Sequence, residues 1–103
     1  MINRQDFIFT IGYEGNTAVV DGTQKKRYGS LSTEQLAEKQ LYKQAICSAV
    51  YEQACAKEGV EPLQRVLEIY NRNAEIKIGS VEELKRTFGV HEVPEGIAKA
   101  TVV

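Results

Sequence analysis

The fold turns on residues 7–28, FIFTIGYEGNTAVVDGTQKKRY. Phe7, Phe9, Ile11 and Tyr13 alternate onto one face, which is the period of a half-buried strand. Glu14-Gly15-Asn16 is turn chemistry, because glycine and asparagine tolerate positive φ. Thr17 to Val20 reads as a second strand. Asp21-Gly22 then predicts a type I′ turn, which needs positive φ at both central positions. A third strand follows over about Thr23 to Tyr28. The expectation is an N-terminal three-stranded antiparallel β-meander.

Working outward, Ser32 is an N-cap, Gln35 closes a capping box and Leu31 pairs with Leu36 as a hydrophobic staple. The helical pattern runs from there to Lys57 or Glu58; a break near Lys39-Gln40 would divide it, and the pattern leaves that open. Gly59 supplies a left-handed C′ residue, with Val60 folding back towards Cys55. Ala45 to Tyr51, AICSAVY, carries no charge, so this central helix is buried nearly all round. Pro62 opens a further helix whose Leu63, Val66, Leu67 and Tyr70 form one apolar stripe. Ile76 and Ile78 alternate as a short extended piece. Ser80 and Glu83 start the last helix, which ends at Gly89 with Val90 folded back on Leu84. Ala100 to Val103 forms either a short edge strand or a frayed end. The fold class is therefore α+β: the meander (about residues 6–28) packed on a long central helix and two further helices, within a single domain over residues 1–103.

A chain of 103 residues has room for one core. With 43% hydrophobic and 26% charged residues it is ordinary globular material. Its net charge of −1 supplies no overall field towards nucleic acid or anionic membrane. No apolar run approaches the roughly 20 residues of a membrane span, and the N-terminus does not have the pattern of a secretion signal. Cys47 and Cys55 sit eight apart in one helix, too far for a disulfide with each other. Both read as buried thiols in a reducing compartment, which makes the cytoplasm the expected location.

Chemistry-bearing motifs are few. His91 is the sole histidine and lies in a loop, while a thiol in the most buried helix is inert. The cysteines and His91 do not make a zinc ligand set, and no metal or other cofactor is expected. The pairs Glu34/Glu38 and Glu82/Glu83 read as solvated charges that complement helix starts. Ile8–Gly15, IFTIGYEG, resembles the opening strand of a domain family of unknown function that begins with TIGYEG or TIGHS. That family continues with a helix and then a strand ending in Asp-Val-Arg, whereas here Asn16 leads into another strand. The resemblance covers eight residues. Ser80–Val90, SVEELKRTFGV, is similar to the first helix and turn of helix-turn-helix DNA binders. The HEVPEG that follows is too short, broken and acidic for a recognition helix.

One constellation remains: Lys25, Lys26, Arg27 and Tyr28 on the last meander strand, followed by Ser30 and the helix start. Basic side chains at a helix N-terminus can hold an anion, and an aromatic beside them suits a nucleobase. Lysines on an edge strand equally guard a sheet against stray pairing, and that is the favoured account. The surplus of apolar faces points to a non-catalytic binding or assembly module that self-associates, with a small-molecule ligand left unspecified. An anion or nucleic-acid binder built on Lys25–Tyr28 and Ser30 is the first alternative. A small enzyme without a recognisable motif is the second.

Overall fold

Asn3 starts the first helix. In the computed structural model, which describes residues 2–55, 62–94, 96 and 98–102, its side chain accepts a hydrogen bond from the Asp6 N–H and caps helix α1, Arg4–Ile8. Phe7, Ile8 and Phe9 are all buried, so consecutive residues enter the core rather than alternate ones. The strand expected from Phe7 therefore begins only at Thr10. Strand β1 is Thr10–Glu14 and pairs antiparallel with β2, Thr17–Asp21. Gly15, at φ +59, turns the hairpin. Positive φ at the first central position is what a two-residue II′ turn asks of glycine.

The expected third strand is a helix. Asp21 ends β2 and its carboxylate accepts from the Gln24 N–H at 3.0 Å, capping α2, Gly22–Tyr28. Asp-Gly thus opens a helix here instead of turning a hairpin. Thr23 to Tyr28 has only Tyr28 to offer a core, so as a strand it would have no apolar face. As a helix it places Lys25, Lys26 and Arg27 in the last turn, where cations complement the backbone dipole. The third strand is β3, Ala98–Val102, which runs parallel to β2. The sheet is mixed, in the order β1-β2-β3, and not a meander.

The helix expected from Ser32 is two helices. Helix α3, Thr33–Glu38, carries the full capping box of Ser32 and Gln35. The break left open by the sequence is present at Lys39-Gln40: Gln40 N–H donates to Ala37 C=O and Leu41 N–H to Leu36 C=O. This is a Schellman turn, with Gln40 at φ +63 in the position where glycine is usual. Helix α4, Tyr42–Cys55, follows, and its residues 45–50 are all buried. Helix α5, Pro62–Asn73, buries Leu63, Val66, Leu67 and also Ile69. The expected C-cap at Gly59 and Val60 lies outside the described residues. Helix α6, Val81–Phe88, starts on Ser80 and ends at Gly89, φ +67, in a second Schellman turn that seats Val90 in the core beside Leu84. Ile78 is buried, but residues 74–80 form no strand.

Helices α1, α3 and α5 pack around α4. A polar chain stitches this packing together. Arg4 Nη2 donates to Leu31 C=O and to Ser48 Oγ, each at 2.8 Å, and Thr33 Oγ1 meets both Ser48 Oγ at 2.7 Å and Glu52 Oε1 at 2.5 Å. The fully buried Ser48 hydroxyl in the uncharged stretch of α4 and the buried Thr33 hydroxyl of α3 are thereby satisfied, which avoids a penalty of about 1–3 kcal/mol for each one left unpaired. The acidic residues of α3 are not merely solvated, since Glu34 pairs with Arg65 and Glu38 with Arg72 of α5.

The capping geometry yields a direct test of this junction. Ser32→Ala is expected to cost about 1 kcal/mol, while Ser30→Ala, at an exposed loop position, should leave stability nearly unchanged. Urea denaturation of the two variants checks it.

Candidate functional site

The basic segment occupies a different setting from the one its sequence suggested. Lys25 does not face solvent as a free cation, because its Nζ lies 2.7 Å from Asp6 Oδ1. Lys99 of β3 holds the other carboxylate oxygen at 2.8 Å. The Asp6 side chain is only 1% exposed. Burial pushes its carboxyl up, but hydrogen bonds and charge from Lys25 and Lys99 outweigh that and hold it below the ordinary value. Asp6 thus joins α1, α2 and β3 at one point.

Lys25, Lys26 and Ser30 come together, with Gln5, Gly22 and Gly29, around a shallow, open hollow. Arg27 and Tyr28 do not line it. Arg27 is exposed with its guanidinium 6.0 Å from the Tyr28 ring, and Tyr28 packs on the core. The hollow runs along α2 from Gly22 to the C-cap at Gly29, and at that C-terminal end backbone carbonyls repel an anion. The N-terminus of α3 is already answered by Ser32 and faces Glu34 in its first turn.

A more enclosed concavity of similar volume lies elsewhere, between β1 and the segment after α6. It is a cleft of about 480 Å³. One wall is β1 itself, with Thr10, Ile11, Gly12 and Tyr13. The opposite wall is the chain from Gly89 to Glu92, together with Pro94, thrown back by the Schellman turn. Phe7 of α1 and Lys43 and Cys47 of α4 also line it, the last two one helical turn apart. Ile11 is 61% exposed and Tyr13 49%, large apolar surface that the fold leaves uncovered.

Why β1 presents so much surface follows from its pairing. The register shifts between Thr10 and Gly12, leaving Ile11 as the extra residue of a β-bulge. Asp21 N–H donates to Phe9 C=O, whereas Ala98 N–H donates to Asn16 C=O. Residues 17, 19 and 21 of β2 therefore point their backbone at β1, and 16, 18 and 20 point theirs at β3. Gly12 and Glu14 answer Val19 and Thr17. The N–H and C=O of Tyr13 are left directed at the open edge of the sheet.

The polar groups of the cleft differ in readiness. Burial pushes the Cys47 thiol up to about 11, although Lys43 pulls in the opposite direction. At neutral pH it is a thiol and a poor nucleophile. Burial, with a smaller push from Cys47, also raises the Tyr13 phenol, which stays a neutral hydrogen-bond donor. The Glu92 carboxylate is met by Lys85 at 3.3 Å. His91 is exposed on the wall. Among the described residues no three His, Cys, Asp or Glu side chains gather as a metal ligand set. Cys55, expected to be buried, is exposed near the end of α4. The uncharged run ends before it, and Glu52 and Gln53 already belong to the wetter end of the helix. Alkylation should separate the two thiols. Cys55 is expected to react with iodoacetamide at least about tenfold faster than Cys47 at neutral pH, read by peptide mass spectrometry.

No family model, curated protein or solved structure matches this chain. The resemblances of Ile8–Gly15 and Ser80–Val90 thus remain those of short segments. In the first, Ile8 ends a helix and Gly15 leads into β2; after the second, residues 91–94 form no helix. No helix among the described residues is long and apolar enough to cross a membrane.

Proposed function

We propose that this chain is a non-catalytic binding module whose ligand is a small molecule held in the cleft between β1 and residues 89–94. The observation that carries this is the cleft itself: about 480 Å³, with exposed Ile11 and Tyr13 set against a few polar groups. The hollow at Lys25 and Lys26 has nearly the same volume, about 470 Å³, so what favours the cleft is its apolar wall with sparse polar groups, the usual make-up of a ligand site. A peptide adding as a strand fits less well. Between the bulge at Ile11 and the turn at Gly15, only Tyr13 offers a regular outward pair of backbone groups. The catalytic alternative would rest on Cys47 and His91, and a protonated, buried thiol speaks against it. The anion alternative at Lys25, Lys26 and Ser30 is weakened by the Asp6 pairing and by the adjoining helix C-terminus. A reducing, cytoplasmic setting belongs to the same proposal, on the ground of two unpaired cysteines.

Titration of isotopically labelled protein with indole tests the reading. Saturable amide shifts should cluster at Thr10–Tyr13 and residues 89–92, and Tyr13→Ala should weaken them. Shifts centred on the Lys26–Ser30 hollow, or none that saturate, would defeat it.

Self-association is a second reading and rests on a separate observation. Ala18 and Val20 turn one face of β2 inward, so Gly12, Val19 and Ala100 lie side by side on the other. A face of three five-residue strands offers roughly 240 Å² at ordinary strand spacings. A stable pair needs about 800 Å² from each partner. The association would therefore have to enlist an edge strand as well, and its test is sedimentation across the micromolar range. A single-copy mass throughout removes it.

A further inference from the structure

The charges around the cleft do not balance. Lys43 makes no ion pair among the described residues, although it sits on the same helical face as Cys47 and lines the cleft with it. Its field already reaches the cleft wall, since it pulls down the very thiol that burial pushes up. The acidic side chain among the lining residues, Glu92, is countered by Lys85 from α6. The remaining polar groups can donate as well as accept: the Tyr13 hydroxyl, the outward N–H and C=O of Tyr13, and the His91 ring. The apolar surface beside them is chiefly that of Ile11 and the Tyr13 ring, with the nearly buried Phe7 and Val90 behind. A pocket with one unpaired lysine, neutral polar groups able to donate and an apolar wall is complementary to a ligand with one negative head on an apolar body.

We propose, resting on the assignment of the cleft as the binding site, that its ligand is a small organic anion with one carboxylate or comparable head on a flat apolar body. Lys43 supplies the counter-charge, and Ile11, Tyr13 and Phe7 receive the body. A polyanion such as a nucleotide triphosphate is a poor match, because a single lysine leaves most of its charge unanswered. A cationic ligand is disfavoured, because Lys43 repels it and Lys85 partly offsets the Glu92 carboxylate, which is 84% exposed.

Three probes of matching shape separate charge from shape: naphthylacetate, its uncharged amide and naphthylethylammonium. Calorimetry, with amide shifts to locate the site, should find the acid about fivefold to tenfold tighter than the amide, a margin of about 1 kcal/mol for one partly exposed charge-assisted hydrogen bond. The ammonium should bind most weakly. Added salt should narrow the margin for the acid alone. Lys43→Gln should reduce the acid to the level of the amide and leave the amide unchanged, while Lys43→Arg should restore part of the preference. Lys43 is exposed, so neither variant should alter the unfolding midpoint appreciably. If all three probes bind equally at the cleft, or if Lys43→Gln keeps the preference, the anion assignment fails and the cleft stands. If no probe gives saturable shifts around β1 and residues 89–92, the cleft and the anion assignment fall together.

Discussion

Replacing Ile46 by alanine is expected to cost about 3 kcal/mol, the loss typical of a large aliphatic side chain removed from a core that cannot collapse around the gap. Ile46 is 0% exposed at the middle of α4. Helices α1, α3 and α5 pack against α4, so a gap there is bordered by helices that relax only partly. For a chain of this size, total stability is about 5–15 kcal/mol, so this one change removes a substantial part of it. Urea titration should show a lower midpoint with an unaltered slope, which identifies a loss of stability rather than a change in the unfolded ensemble. Ile76 is the control. It is 84% exposed, and Ile76→Ala should fall within about 0.5 kcal/mol of the parent. Equal losses at the two positions would mean that α4 does not lie at the centre of the molecule.

Asp6→Asn is the second large effect, about 2 kcal/mol at neutral pH. The figure is kept below that of a fully buried ion pair because Lys25 and Lys99 are 31% and 47% exposed and can turn back to water. The change also has a pH signature. The folded carboxyl titrates below its ordinary value, so its stabilising contribution is complete above the unfolded carboxyl range, near pH ~4. It is lost as pH falls through the lower folded value. Acid titration of the parent should therefore show a loss of stability beginning below about pH 4 that is reduced in Asp6→Asn, because the amide cannot take part. Parallel acid curves for the two proteins would remove Asp6 from this role.

Elements governed by local signals could be read from the chain. Ser32 with Gln35, Ser80, Gly89 and the uncharged run at Ala45–Tyr51 state their own geometry, because caps and helical faces depend on neighbours within about four residues. The hairpin at Gly15 belongs to the same group. Asp21-Gly22 was ambiguous at that range, since the residue that opens a turn by a side-chain hydrogen bond also caps a helix by one. The deciding clue was the absence of an apolar face in Thr23–Arg27. Asn3, three residues before Asp6, was likewise a cap signal hidden by the aromatics that follow. The pairing of β3 with β2 could not be read locally, because parallel strands meet only after a long crossover. The candidate site suffered most from this. Nothing in the spacing of residues 11, 13, 43, 47 and 91 says that they border one cleft. The Lys25–Tyr28 cluster was conspicuous for the opposite reason: its members are adjacent in sequence. Adjacency on a helix spreads side chains around its circumference, and here it divides them between an internal ion pair, solvent and the core.

The parallel pairing of β3 carries a kinetic consequence. Thr17 lies beside Ala98, 81 positions further along (98 − 17). Closing so long a loop costs roughly 3 kcal/mol more in chain entropy than closing a hairpin of a few residues. That cost is best met after the helices have collapsed and brought the two segments near each other, so β3 should join after the rate-limiting step. Its contacts would then be absent from the folding transition state. Ala100→Gly, which weakens the strand at an exposed position, should accordingly speed unfolding while leaving the refolding rate nearly as it was. Stopped-flow measurements would show the unfolding arm of the chevron raised and the refolding arm superimposed on that of the parent.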